Sequence, residues 1–162
     1  MTTTTQTPGD RKIVTFSLDH QSFGIDMRSL IEIREWEEPT PLPGVPSYIL
    51  GVTNLRGTVV PVIGLAERLG WRPSTIHSRS CLLVVNLAGK QAGFLVDEVA
   101  DIVLIHDQEI QPAPDIEIGE PAIISGLVKV QERSVSANDN GKMVLLLDLE
   151  ALGISRVMDN AA

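Results

Sequence analysis

Short apolar stretches, separated every few residues by glycine, proline or polar turns, restrict most strongly how this chain can fold. In several of them apolar and polar side chains alternate; within 13–18, Val14 and Phe16 alternate with Thr15 and Ser17. Such alternation places successive side chains on opposite faces of a β-strand. Many short strands with frequent turns predict an all-β barrel or sandwich in which helices are minor.

The first third of the chain contains two predicted strands and two predicted helical segments. After a turn at Asp19 to Gln21, Phe23 to Met27 is predicted to form a returning strand. We expect Arg28 to Ile33 to form a short helix and Ser47 to Leu50 another helical turn. Between these segments, regular structure is excluded by closely spaced prolines, which predict an ordered surface connection: Pro39, Pro41, Pro43 and Pro46.

A β-hairpin is predicted at Val52 to Val60. Its apolar arms flank a centre that contains Asn54 and Gly57, residue types that tolerate the positive φ angles of tight turns. We expect the chain to reverse at Leu55-Arg56 and to leave the Arg56 side chain exposed. An arginine in a turn is usually only solvated, but a rigid hairpin can also present it as an anchor to another protein.

The rest of the chain repeats this pattern of strands and turns. The remaining predicted strands are a hairpin of Cys81 to Leu87 with Ala92 to Val96, a strand from Val99 to Ile105, and a strand pair of Ile123 to Val130 with Met143 to Leu147. The predicted helices are Leu65 to Leu69, ended by Gly70, and a short helix capped by Asp148 that runs through Leu152 before Gly153. A loop is predicted from Gln111 to Ile118 and a long mobile loop from Ser134 to Gly141. Leu82 to Val85 and Val144 to Leu147 are apolar at every position, which predicts burial on both faces where two small barrels pack together.

Composition narrows the classes of partner. Thirteen basic and 21 acidic residues give a net charge of −8, which disfavours nucleic acid and anionic lipid. No apolar run is long enough to span a bilayer, and Met1 to Asp10 lacks the features of a secretory signal. We therefore expect a cytoplasmic protein without direct membrane insertion, in which the single cysteine, Cys81, is a small buried hydrophobic residue.

Recognised catalytic motifs are missing from the sequence, so we predict no catalytic residues, metal or cofactor. The histidines, His20, His77 and His106, are far apart and are predicted to be solvated. Asn138 to Gly141 is predicted to form a turn rather than a calcium loop, because the glutamate that such a loop needs is missing at the required spacing. A solvated face is favoured over a partner-binding patch for the acidic cluster of Glu32, Glu35, Glu37 and Glu38.

A family resemblance is carried by Tyr48 to Ile63, YILGVTNLRGTVVPVI, with support from Phe23 to Asp26, Gly93 to Val99, Gln111 to Pro114 and Ser125 to Leu127. These stretches closely resemble the CheW family of chemotaxis coupling proteins, and the likeness extends over Lys12 to Gly153. It implies two interlocked five-stranded barrels, each similar to an SH3 domain, with a few short helices. We expect one such unit at residues 11–154, a disordered tail at 1–10 and a second tail at 155–162.

The resemblance also implies a function in binding alone. Family members couple the cytoplasmic hairpin tip of a chemoreceptor to the regulatory domain of the histidine kinase CheA, in arrays at the membrane. Two alternatives stay open: a similar scaffold for a kinase pathway outside chemotaxis, and a ligand-binding barrel or enzyme that assembles a site from His77, His106 and Asp101.

The receptor surface implied by the resemblance is a groove between the barrels, with the arginine presented by a hairpin that contains Asn54 and Leu55. The corresponding groove residues are Leu30, Glu32, Arg56, Gly57, Val99 and Ile102. Leu30, Val99 and Ile102 could equally be core residues, and the turn alone could require Gly57. Two features depart from the family: Gly64 replaces a frequent aspartate, which removes a potential helix cap, and the loop from Gln131 to Lys142 is longer than usual.

Overall fold

The computed structural model of the protein describes residues 9–87, 89–112, 123–130 and 142–152. Within these ranges it contains ten strands: β1 Asp10–Leu18, β2 Gln21–Asp26, β3 Leu30–Glu35, β4 Ile49–Leu55, β5 Thr58–Gly64, β6 Cys81–Leu87, β7 Lys90–Val96, β8 Glu98–His106, β9 Ile124–Val130 and β10 Lys142–Leu147. The helices are α1 Leu65–Arg68 and the 3₁₀ helices Met27–Ser29, Asp107–Glu109 and Glu150–Leu152. None of these described helices is long and apolar enough to cross a membrane.

The strands form two five-stranded sheets, as predicted. One sheet has the order β8-β1-β2-β10-β9 and the other the order β3-β6-β7-β5-β4. The chain therefore starts in the first sheet, builds all of the second and returns to finish the first. We call the first sheet barrel A and the second barrel B. Because barrel A is assembled from both ends of the sequence, the two barrels are interlocked.

Backbone pairs beyond each edge strand connect it back to the opposite side of its own sheet. After β3, Thr40 pairs with Val52 of β4 through hydrogen bonds of 2.9 and 2.8 Å. After β8, Gln111 pairs with Leu127 of β9 through two bonds of 2.8 Å. These pairs curl both sheets into barrels and satisfy part of the edge hydrogen bonding that an open sheet would expose.

The two barrels have equivalent strand arrangements. Each barrel consists of two hairpins and an edge strand, and the second strands of the two hairpins pair in parallel. These parallel pairs are β5 with β7 in barrel B and β2 with β10 in barrel A. The edge strands β3 and β8 each carry one extra residue, Ile31 in β3 and Ala100 in β8. The extra residue falls at the same point of the pairing with the neighbouring strand, β6 or β1. Leu30, Glu32 and Ile33 are consequently equivalent to Val99, Asp101 and Ile102.

A central apolar layer between the barrels explains why some strands have apolar side chains on both faces instead of alternating with polar ones. Leu82 and Val84 of β6 point into barrel B, whereas Leu83 and Val85 belong to the central cluster. Strand β1 behaves likewise, since Ile13 lies inside barrel A and Phe16 in the central cluster. The predicted two-sided burial of Leu82 to Val85 is confirmed, and all four side chains are at most 3% exposed.

The predicted helices before the hairpin are wrong. Helical structure is limited to Met27–Ser29, and Leu30–Glu35 is a strand, because pairing with β6 favours the β-branched residues of this segment. Ser47 and Tyr48 form only a turn before β4 begins at Ile49. The hairpin is confirmed, but the chain reverses at Arg56-Gly57, one residue later than predicted.

Other local predictions agree with the described residues. Helix α1 ends in a Schellman motif, in which the N–H groups of Gly70 and Trp71 bond to Glu67 and Ala66 and Gly70 has a φ of +79°. Cys81 is buried, which raises the pKa of its thiol. The hairpin of β6 with β7, the strand β8 and the pair of β9 with β10 are present. Most of the two predicted tails, most of the 131–142 loop and Gly153 lie outside the described residues. The ranges concerned are 1–8, 113–122, 131–141 and 153–162.

The two barrels end their equivalent strands differently. Asp148, after β10, accepts hydrogen bonds from the N–H groups of Glu150 and Ala151 at 3.1 and 3.4 Å. Gly64, at the equivalent place before α1, has no side chain to cap the helix. The Glu67 carboxylate instead lies against Gly64 in the space that a Cβ would need, and its Oε1 is buried without a hydrogen bond among the described residues.

This arrangement predicts that an aspartate at position 64 stabilises the protein only when Glu67 is removed. Gly64→Asp alone should lower the free energy of unfolding, because two carboxylates would compete for one space. In a Glu67→Ala background the same change should raise it by about 1 kcal/mol through helix capping. Urea denaturation of the four proteins measures both effects. Equal stabilisation in the two backgrounds would contradict the proposed competition.

Candidate partner-binding site

A tight turn between β4 and β5 presents Arg56 to solvent. Arg56 and Gly57 both have positive φ angles, 54° and 86°, as in a type I′ turn. The N–H of Gly57 donates to Oδ1 of Asn54 at 2.8 Å, which fastens the turn across its base. Leu55 anchors the hairpin from below, because its side chain is buried inside barrel B. The left-handed conformation of Arg56 is uncommon for a long side chain and is held by these contacts.

The Arg56 guanidinium is paired with a carboxylate from another strand. Its Nη2 donates to Oε2 of Glu32 on β3. The Glu32 side chain is only 21% exposed, whereas that of Arg56 is 70% exposed. A second arginine, Arg34, places Nη1 3.6 Å from Oε1 of the same carboxylate. The turn thus carries an exposed cation that is oriented by a half-buried anion.

Local structure before β3 fixes the position of Glu32. Asp26 caps the 3₁₀ helix Met27–Ser29 by accepting from the N–H of Arg28 at 2.9 Å. The Arg28 guanidinium donates to the same carboxylate, and this hydrogen bond is the main cause that holds the pKa of Asp26 below its usual value. Strand β3 then starts at Leu30, and Glu32 lies opposite Val84 of β6. Glu32 is therefore held by backbone pairing rather than by a loop.

The apolar residues predicted for the groove occupy two edge strands. Leu30 on β3 and Val99 on β8 are half-buried and pack against the central cluster at equivalent positions of the two barrels. Ile102 is 46% exposed on β8. The structure brings Glu32 and Arg56 into direct contact; within the described ranges, no hydrogen bond or ion pair connects them to β8. That all six residues form one receptor surface stays a prediction.

Sequence reasoning missed several residues around Glu32. Arg34 shares its carboxylate, and Ile31 and Ile33 are 43% and 44% exposed on the same strand. Leu104 is 50% exposed beside Ile102. The signal was the spacing of Glu32 and Arg34, which places both on one face of a strand but not of a helix.

The three residues of the alternative ligand-binding or enzymatic site, His77, His106 and Asp101, make local hydrogen bonds that stabilise turns and strand pairing. Nδ1 of His106 accepts from the N–H of Gln108, and Nδ1 of His77 accepts from the N–H of Arg79. Asp101 exchanges backbone hydrogen bonds with the Thr15 hydroxyl. Among the residues that the structure describes, no three histidine, cysteine or acidic side chains are grouped so that they could hold a metal ion.

Asn54 should contribute to stability in the same way as Asn86. Oδ1 of Asn86 accepts from the N–H of Gly89 at 2.9 Å in the turn between β6 and β7, a bond equivalent to that from Gly57 to Asn54. Each of Asn54→Ala and Asn86→Ala should lower the free energy of unfolding by about 1 kcal/mol, because each removes one turn hydrogen bond. Chemical denaturation tests this. An unchanged midpoint for Asn54→Ala would show that its side chain does not hold the arginine turn.

Comparison with known proteins places the chain in a defined group. Residues 12–155 match the family model of the CheW-like domain. A probable chemotaxis protein CheW from Rhizobium etli is 40% identical over 144 residues, covering 89% of this chain and 88% of the relative. The chemotaxis protein CheW from Rhizobium meliloti is 33% identical over 147 residues, which cover 90% of this chain and 89% of that protein.

A solved structure is also similar. The crystal structure of the scaffolding protein TtCheW from Thermoanaerobacter tengcongensis matches with a TM-score of 0.76 and 30% sequence identity, covering 88% of this chain and 91% of that one. The two interlocked barrels described above are therefore shared with a protein of known structure.

Proposed function

This chain belongs to the CheW-like domain family, and on that basis we propose that it is an adaptor that couples chemoreceptors to the histidine kinase CheA in chemotaxis arrays. Its relatives from Rhizobium are chemotaxis proteins by name, and TtCheW is described as a scaffolding protein. The family match covers nearly all of the unit expected at residues 11–154. These relatives favour chemotaxis over another kinase pathway.

The observation that carries the proposal is the Arg56 turn with its Glu32 partner. An exposed guanidinium held by a rigid turn and a half-buried carboxylate is already oriented, so little side-chain entropy is lost when a partner binds. Ile31 and Ile33 lie on the strand that carries Glu32 and are partly exposed. Ile33 lies opposite Leu83 and Glu32 opposite Val84, so the exposed Ile33 is on the other face of the edge strand from the oriented charge.

We propose that the receptor partner is the cytoplasmic hairpin tip of a chemoreceptor, which is helical. The apolar stripe of such a tip would contact Leu30, Val99 and Ile102, while Arg56 and Glu32 would fix its register through charged hydrogen bonds. Gly57 would let the turn approach closely, since nothing lies within 4 Å of the position that its Cβ would take. These contacts deepen the prediction made from the resemblance.

The second proposed partner is the regulatory domain of CheA. Binding to both partners needs no catalysis, cofactor or nucleic acid. In this proposal the protein acts in the cytoplasm and is recruited to membrane-associated receptor arrays. Each contact can be weak, because an array supplies a high effective concentration of both partners.

Arg56→Glu should separate the two partners. Reversal of this charge places two carboxylates side by side and removes the oriented cation, so affinity for a receptor cytoplasmic fragment should fall by about tenfold or more, while capture of CheA persists. Arg56→Ala should give a smaller loss. Pull-down of both partners from the source cell, followed by titration with purified fragments, measures these effects.

Two matched controls sharpen this experiment. Arg72→Glu reverses another exposed arginine and should leave receptor binding unchanged. Asn86→Ala should match the stability loss of Asn54→Ala, but only Asn54→Ala should weaken receptor binding, because only Asn54 holds the arginine turn. If well-folded wild type captures neither partner, the coupling role is wrong. If Arg56→Glu and Arg72→Glu bind the receptor equally, the site is misplaced.

A further inference from the structure

The Glu32 carboxylate lies between two guanidinium groups that use different oxygens. Arg56 bonds to Oε2, and Nη1 of Arg34 lies 3.6 Å from Oε1. The second distance is within the range of an ion pair but beyond that of a normal hydrogen bond. Glu32 is therefore hydrogen-bonded to Arg56 through Oε2 and only approached by Arg34 at Oε1.

Strand geometry permits a simple exchange between these partners. Glu32 and Arg34 lie two residues apart on β3, opposite Val84 and Leu82 of β6, so their side chains share one face of a paired strand. A rotation of side chains alone can bring Arg34 into hydrogen-bond distance of the carboxylate. No backbone movement is needed.

The charges at the site favour an acidic ligand. Two guanidinium groups face one carboxylate, which leaves an excess of one positive charge among these three side chains. Arg56 is the more exposed arginine, with 70% of its side chain accessible compared with 35% for Arg34. An approaching carboxylate would therefore meet Arg56 first.

Loss of Arg56 to a partner would be unfavourable if Glu32 were left alone. The Glu32 side chain is only 21% exposed. A half-buried carboxylate that loses its hydrogen-bonding cation has a higher free-energy cost than a solvated carboxylate, because water cannot fully replace the cation. Arg34 is the group in place to replace Arg56.

We propose that Arg34 is a positioning residue of the partner-binding site: when an acidic side chain of the docked receptor helix engages Arg56, Glu32 transfers its ion pair to Arg34. The inference rests on the proposed function for the identity of the helix. Arg34 makes no contact with the partner; it lets Arg56 change partners without leaving a half-buried carboxylate unpaired.

The test is a calorimetric titration of the full-length protein with a receptor cytoplasmic hairpin-tip fragment. Arg34→Gln should weaken binding by about three- to tenfold, and Arg34→Lys should restore most of the affinity because it keeps the charge. In a Glu32→Gln background, Arg34→Gln should change affinity by less than about twofold, because no carboxylate remains to be transferred. Arg72→Gln is the matched control and should bind like wild type.

A spectroscopic measurement follows the exchange itself. In the free protein, the resonance of the Nη1 protons of Arg34 should show rapid exchange with water, because Nη1 is too far from Glu32 for a hydrogen bond. Addition of the fragment should shift this resonance and slow its exchange in wild type but not in Glu32→Gln, since Arg34 becomes hydrogen-bonded to Glu32 only in the complex.

The outcomes separate this inference from the proposed function. If wild type does not bind the fragment, the proposed function fails and the exchange fails with it. If wild type binds but Arg34→Gln equals Arg72→Gln, the adaptor role stands and the exchange is overturned. An equal loss with and without Glu32 would also overturn it, because Arg34 would then contact the partner directly. Thermal unfolding verifies the fold of each variant, and if Arg34→Gln is unfolded, Arg34→Lys and the resonance of Arg34 decide.

Discussion

The structure depends on one apolar layer that both barrels share. Phe16 and Phe23 from barrel A stack with their ring centres 6.0 Å apart, and Leu83 and Phe94 from barrel B join the same buried cluster. Because β1 and β6 bury side chains on both faces, neither barrel can lose the other without exposing the inner surface of its central strands. We therefore expect the two barrels to fold as one cooperative unit.

This shared layer also explains why the candidate site lies at the edges. The central strands β1, β6 and β7 are largely covered on both sides, so most exposed apolar groups on strands are found on β3 and β8, where each barrel borders solvent. Val59 of β5 and Met143 of β10, near the ends of their strands, are also exposed. Ile33 and Ile102 occupy equivalent positions and are exposed to a similar extent, 44% and 46%. Edge strands with exposed apolar residues invite unwanted pairing, and charged neighbours such as Glu32, Arg34 and Asp101 oppose it.

Much of the fold followed from the sequence because burial produces regular patterns. The continuous apolar run in β6 correctly indicated two-sided burial, and the turn that contains Asn54 and Gly57 indicated the hairpin. The alternation in β1 indicated a strand with one buried face, whereas both of its faces are buried, because β1 lies between barrel A and the central layer. Arg28 to Ile33 was predicted as a short helix, although Ile31 to Arg34 alternates apolar and charged residues as a strand does. In the structure the isoleucines are exposed and the charged residues half-buried, which reverses the usual burial of an alternating strand. That error concealed Arg34, since only a strand places it beside Glu32. The pairing of Glu32 with Arg56 spans 24 residues and depends on barrel closure, which local patterns do not encode.

The reversed alternation of β3 is itself informative about the site. A strand whose glutamate and arginine are half-buried while its isoleucines are partly exposed gains less from folding than the reverse pattern would, because burial of charge has a cost and exposed apolar area contributes nothing. The buried charges are tolerated because Glu32 has an arginine from another strand. The exposed isoleucines have no such compensation within the described residues, and a partner surface that covers them would supply it. The local departure from the usual burial pattern thus includes Glu32, which is also one of the residues proposed for binding, as expected where stability yields to function.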